Sequence, residues 1–267
     1  MNINDPKRVQ ELYINKDTLS TRVTLHDKYS VNQHGWANWV FEQYKFRENI
    51  NVLELGCGTG GTWIGREEQI PKGTKIILTD ISDLMIQKTK EKHGTSTYFS
   101  FQVMDVQNIT FEDGYFDIII ANHMLYHVLN ISKALSEIKR VLKNDGCFYA
   151  TTTGLNHLKE LQEIYRVYEG KVKFNYSNEI TFNLENGINI LKEYFGEIEK
   201  HHYIDSLEVT EAQDLMDYII SYNEIPKIVY DEIYGIIEKE INKRGMFKIK
   251  KDSGMFICRL ENTGNST

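Results

Sequence analysis

Short apolar runs alternate with amphipathic stretches through the first 154 residues, and the alternation breaks after Gly154. Ile50–Leu55 is a brief, apolar, β-branched run bounded by turn residues, which predicts a strand. Similar runs at Lys75–Leu78, Tyr98–Val103, Tyr115–Ala121 and Cys147–Thr153 predict four more. Between them, helical spacing predicts Thr62–Ile70, ending before Pro71, and a helix from Ser82 as N-cap to Gly94. A further helix is expected from Ser132, with Leu135, Ile138, Val141 and Leu142 on one face. Upstream, Trp36, Trp39, Val40 and Tyr44 recur at helical spacing within His34–Phe46. Downstream, helices are predicted at Leu155–Tyr168, Asn183–Phe195, Glu211–Tyr222 and Pro226–Lys243, and a strand at Glu197–Leu207. Met246–Ile249 and Met255–Leu260 read either as a hairpin around Lys251–Gly254 or as one final strand.

Five strand–helix repeats at intervals of about 25 residues imply right-handed βαβ units on a parallel sheet. The near-continuous apolar strands imply burial on both faces. The expected class is α/β, Rossmann-like and doubly wound. Ligands in such sheets bind at the carboxyl ends of the strands, which directs attention to Gly56–Gly60, Asp80, Asp105 and Asn122–His127.

The chain has 267 residues, 41% of them hydrophobic, enough for a sizeable core. A net charge of −7 without a basic tract argues against a nucleic-acid surface. No apolar run has the length of a membrane span, and the N-terminal residues lack the apolar segment of a signal peptide. Three cysteines without C-x-x-C spacing suit a reducing, cytoplasmic location better than a disulfide framework or a zinc site. His201-His202 has no partner at metal-ligand spacing, so no metal site is expected.

The loop after the first strand carries the chemistry. Gly56, Gly58 and Gly61 satisfy G-x-G-x-x-G, and Asp80 lies where an acid could bind ribose hydroxyls. A nicotinamide- or flavin-dependent oxidoreductase is therefore one reading. Glu54 argues against it, because a carboxylate just before the loop repels a pyrophosphate and attracts an ammonium group. The run Gly-Thr-Gly-Gly leads into a weak helix start. Asp105 closes the third strand, where it could accept a hydrogen bond from an adenine amine.

The block Glu54-Leu-Gly-Cys-Gly-Thr-Gly60 resembles the cofactor loop of class I S-adenosylmethionine (SAM)-dependent methyltransferases. The resemblance extends through Leu78-Thr-Asp80, Met104-Asp-Val106, Phe116–His127 and Ile138–Gly146, covering roughly residues 50–153. It implies a seven-stranded, mostly parallel sheet whose last two strands form an antiparallel pair. It implies methyl transfer from SAM to a small-molecule acceptor, leaving S-adenosylhomocysteine (SAH). Gly56, Cys57, Gly58 and Gly60 would pass beside the amino-acid half of SAM, and Glu54 would stand near its ammonium. Asp80 would hold the ribose and Ile81 would pack on the adenine. Asp105 and the Val106 N–H would meet the adenine edge, and the Asn122 carbonyl would approach the ammonium. Residues 1–47 are expected to form a helical lid and 48–260 the catalytic domain, with insertions near 155–182 and 208–245 and a disordered tail at 261–267. An acidic chain with insertions over the site suits an enclosed small-molecule pocket, with no nucleic-acid or membrane partner. A non-catalytic SAM-binding regulator is the remaining alternative.

If the acceptor carries a proton, a general base is needed. His127, His123, His26 and Tyr29 are the candidates. Tyr29 or Trp36 could instead face the sulfonium, whose charge is attracted to an aromatic face.

Overall fold

The computed structural model describes residues 16–172 and 181–261. Seven strands form one sheet: β1 (Asn51–Leu55), β2 (Lys75–Asp80), β3 (Phe99–Val103), β4 (Phe116–Asn122), β5 (Leu142–Thr153), β6 (Glu197–Val209) and β7 (Phe247–Arg259). Their order is β3-β2-β1-β4-β5-β7-β6. The first five are parallel, and β7 runs antiparallel between β5 and β6. This is the Rossmann-like, mostly parallel sheet the sequence implies. The C-terminal segment is one strand rather than a hairpin, with β7 paired to β6 along its whole length.

Alternation along the strands divides the core. Leu53, Leu55, Ile119, Phe148 and Phe256 bury one face against α4 (Ile131–Val141). Val52, Ile76, Leu78, Ile118 and Tyr149 bury the other face against α2 (Trp36–Gln43) and α3 (Asp83–His93). Period-two side chains facing two apolar layers are what a doubly covered sheet requires.

Three local expectations give way. Thr62–Ile70 forms two 3₁₀ turns, Gly61–Trp63 and Glu67–Gln69, rather than an α-helix. Gly60 and Gly65 adopt left-handed conformations at φ 70° and 69°, which break a right-handed helix on both sides of Trp63. The helix placed from Ser132 is α4, and its N-cap is Asn130, whose side chain accepts the Lys133 N–H at 3.0 Å. The Asn144–Gly146 turn lies within β5, which starts at Leu142.

A third apolar cluster sits apart from the sheet faces. β6 and β7 extend past the last β5 pairing at Thr153–Ser253. That ribbon carries Leu207, Val209, Phe247 and Ile249 into a core shared with four helices. They are α1 (Lys16–Tyr29), α5 (Lys159–Val167), α7 (Ala212–Ile220) and α8 (Lys227–Arg244). A short helix, α6 (Gly187–Leu191), covers the sheet near β6 and β7. α5, α7 and α8 thus pack with α1 into a cap beside the sheet. Parts of the expected lid (1–15), insertion (173–180) and tail (262–267) lie outside the described residues. No described helix is long and apolar enough to cross a membrane.

Candidate active site

A cavity of about 400 Å³ opens at the carboxyl ends of β1, β2 and β3 and the start of the segment after β4. Glu54 closes its floor and is 1% exposed. Its carboxylate accepts the Trp63 indole N–H at 2.6 Å, the Asn122 side-chain N–H at 3.2 Å and the Thr62 hydroxyl at 3.4 Å. No Lys or Arg pairs with it among the described residues, and burial pushes its pKa up to about 7 despite those three donors. A buried carboxylate short of a counter-charge attracts a cation.

The glycine loop is pinned from β2 and α3. The Cys57 N–H donates to Thr79 O, the Thr89 hydroxyl to Gly58 O and the His93 Nε2–H to Gly60 O, at 2.8, 2.8 and 2.9 Å. Gly58 has φ 56° and open space where a Cβ would stand, so the backbone presents a bare cradle. The Gly58 N–H donates to Asp80 at 3.0 Å, and the Ser82 N–H donates to the same carboxylate at 2.9 Å. Burial raises the Asp80 pKa. The Gly58 and Ser82 N–H groups are thereby engaged, and a 3₁₀ turn rather than an α-helix follows the loop, so the α-helix N-terminus that holds a pyrophosphate in a dinucleotide fold does not form at this position.

Gly56, Cys57, Asp80, Ile81, Asp105, Val106 and Asn122 all border the cavity with Glu54 and Gly58. Gly60 does not: it turns toward α3, where a Cβ would stand 2.8 Å from the His93 ring. The Asp105 carboxylate accepts the Gln107 backbone N–H at 2.8 Å, closing the loop after β3. The Asn122 side chain donates to Tyr44 Oη at 2.8 Å as well as to Glu54, so it braces the floor. Trp63 and Thr62 carry no signal in the linear sequence for this role, because the turn that places them replaces a predicted helix, and Tyr44 arrives from the end of α2.

Of the four candidate bases, two reach the cavity. His123 and His127 line it. His123 has φ 49°, and its backbone N–H donates to Thr151 Oγ1 at 3.0 Å. Its ring lies 5.0 Å from Trp36, which also lines the cavity. Burial lowers the His123 pKa to about 4, assisted by Lys251 and His127, and burial lowers His127 to about 4. Tyr29 is elsewhere. Its hydroxyl donates to Asp214 at 2.6 Å inside the cap core. His26 also lies outside the cavity wall, 6.4 Å from the His157 ring and 5.8 Å from the Tyr218 ring. Both side chains are engaged by α7 instead, Tyr29 through Asp214 and His26 beside Tyr218.

Behind His123 lies a polar cluster that sequence reading missed. Lys251 pairs with Asp205 at 2.6 Å, with the two side chains 7% and 0% exposed. Ser30 donates to the same carboxylate, and the Asn32 N–H joins it at 2.9 Å. Burial would raise the Asp205 pKa, but Lys251 and Ser30 outweigh it and hold it low. His26 Nδ1 and the Tyr203 hydroxyl are buried there without a hydrogen-bond partner. At the opposite end of β4, Asp117 is tied to Arg47 and Lys143, each at 2.8 Å, far from the cavity. No group of His, Cys, Asp and Glu among the described residues could hold a metal.

A strand order of this kind, with a glycine loop and acids ending β1, β2 and β3, defines the class I methyltransferase fold. Residues 53–150 match the methyltransferase-domain family. It is 30% identical over 148 residues to the ubiquinone/menaquinone biosynthesis C-methyltransferase UbiE of Proteus mirabilis, covering 54% of this chain and 59% of that protein. It is 31% identical over 113 residues to the malonyl-[acyl-carrier protein] O-methyltransferase of Legionella pneumophila, covering 42% and 39%. Neither match spans two thirds of the relative. Among solved structures, phosphoethanolamine N-methyltransferase 2 of Haemonchus contortus in complex with SAM superposes with a TM-score of 0.59 at 18% identity, over 98% of this chain and 60% of that one. That likeness concerns the fold.

Proposed function

We propose that the protein transfers the methyl group of SAM to a small-molecule acceptor. The observation that carries this reading is the buried Glu54, without a Lys or Arg partner among the described residues, in a cavity that Asp80 and Asp105 also line. Glu54 would hold the ammonium of SAM, Asp80 the ribose hydroxyls, and Asp105 with the Val106 N–H the adenine edge. The bare Gly58 cradle would admit the chain between them.

SAM supplies a methyl carbon on a sulfonium: the acceptor's lone pair forms the new bond, and the C–S pair stays on sulfur as the neutral thioether of SAH. The protein's part is alignment and exclusion of water, worth up to roughly 7–11 kcal/mol when geometry is ideal. His123 and His127 are unprotonated at neutral pH, so either can receive a proton from an acidic acceptor. α1 and α2, with the insertions, would act as a lid and cap over the acceptor. Free thiols at Cys57, Cys147 and Cys258 support a reducing, cytoplasmic setting.

Thermal shift tests the reading directly. SAM or SAH at a hundred times its Kd should stabilise the protein by about 2.7 kcal/mol, with no comparable response to NAD or NADP. Stabilisation by a nicotinamide dinucleotide alone would overturn it.

A further inference from the structure

We infer that the methyl acceptor is an uncharged, largely apolar molecule. The inference rests on the methyl-transfer reading and concerns the wall of the cavity that the donor does not need. Once the carboxylates at β1, β2 and β3 are assigned to the donor, the lining still includes Val23, Trp36, His123, Met124, His127 and Leu129, beside neutral polar groups such as Thr62 and Gln107. Among the described residues, no Lys or Arg lines the cavity. The nearest buried ammonium, Lys251, is held by Asp205 and by Ser30. The two imidazoles bring no positive charge at neutral pH, since burial keeps both far below their ordinary range.

An anionic acceptor would enter this wall without a counter-charge and beside Glu54 and Asp80. A cationic acceptor would find those carboxylates already committed to the donor and would lose its hydration without gaining a counter-charge. An apolar one meets matching surface. Val23 and Leu129 both line the cavity and are 51% and 49% exposed, so two aliphatic side chains rim the opening. Further in, Trp36 offers a flat ring against His123, a surface suited to a planar or extended apolar body.

The test uses the SAH-loaded protein and three probes of one shape: 1-naphthol, 1-naphthoate and 1-naphthylmethylamine at neutral pH. Affinities are read by calorimetry. Naphthol should bind at least about tenfold more tightly than either charged probe. Naphthoate or the ammonium probe binding as tightly as naphthol overturns the inference. Leu129→Lys, at the half-exposed rim, should shift the naphthoate-to-naphthol preference toward naphthoate by roughly tenfold; an unchanged preference would place the acceptor elsewhere. SAH affinity is measured first in each case. Its loss in the parent protein defeats the donor reading, whereas intact SAH binding with the wrong probe order defeats only this one.

Discussion

Glu54 concentrates the chemistry at the level of single residues. Its pKa of about 7 means that the folded protein holds a proton there between pH 4.5 and 7, where the unfolded chain has released it. The sign follows: this group removes stability as pH rises through that window, by ~3 kcal/mol in total. Bound SAM should reverse the preference, because an ammonium favours the ionised carboxylate. SAM affinity is therefore expected to rise with pH up to about 7 and then level, with proton release on binding below that pH. Calorimetry in buffers of different ionisation enthalpy measures the release. Glu54→Gln should bind more weakly and without this pH dependence; a Gln variant that keeps it would move the titrating group elsewhere. Asp80 has a different task, since it already accepts two backbone N–H groups and shapes the loop. Asp80→Ala should lose the charge-assisted bonds to the ribose, at about 1.5–3 kcal/mol each, seen as a fall in SAM affinity of tenfold or more.

At the level of elements, the glycine loop and the β6–β7 ribbon do separate work. Gly56 has φ 65°, and a Cβ there would stand 2.8 Å from Met124 Cβ, an atom fixed to the backbone. Gly56→Ala should therefore both strain the turn and push Met124 into the cavity, with SAM binding lost before the fold is. The ribbon joins the cap to the sheet. Asp205 on β6 binds Lys251 on β7 and the start of the α1–α2 connection, while Arg22 on α1 donates to Ser221 at the end of α7. Asp205→Ala leaves Lys251 buried and unpaired, which should cost about 3–5 kcal/mol in urea unfolding. Replacing both partners with Leu and Met should recover most of that loss, since the penalty belongs to the orphaned charge. These pairs were illegible beforehand because their partners lie more than forty residues apart, and periodicity within a segment does not say which distant segment it meets.

For the whole molecule, acid sensitivity follows from neutral histidines. Burial lowers His26 to about 3, His123 and His127 to about 4, and His157 well below its ordinary value. The unfolded chain binds these protons near pH 6.5 while the folded one resists them, so stability should fall as pH drops from about 6.5 toward 4. Glu54 opposes this with a single proton. A melting temperature that holds steady between pH 7 and 5 would contradict the neutral burial. His123→Asn should flatten the slope.

What the chain determines locally is the sheet and the acids and glycines that line its cavity. Apolar runs, glycines and strand-ending acids are near neighbours in sequence, and each is dictated by its own few residues. Hence β1 to β5, Glu54, Asp80 and Asp105 could be placed without coordinates. The loop's apparent helix failed because Gly60 and Gly65 outweigh a weak helical pattern. Tyr29 and His26 failed because the face of α1 that meets the sheet or the cap depends on what packs against it. The tertiary structure alone decided that α5, α7 and α8 share a core with α1, that Trp63 and Asn122 hold Glu54, and that no Lys or Arg among the described residues lines the cavity. Each depends on contacts between distant segments, and contact is a property of packing that no local pattern encodes.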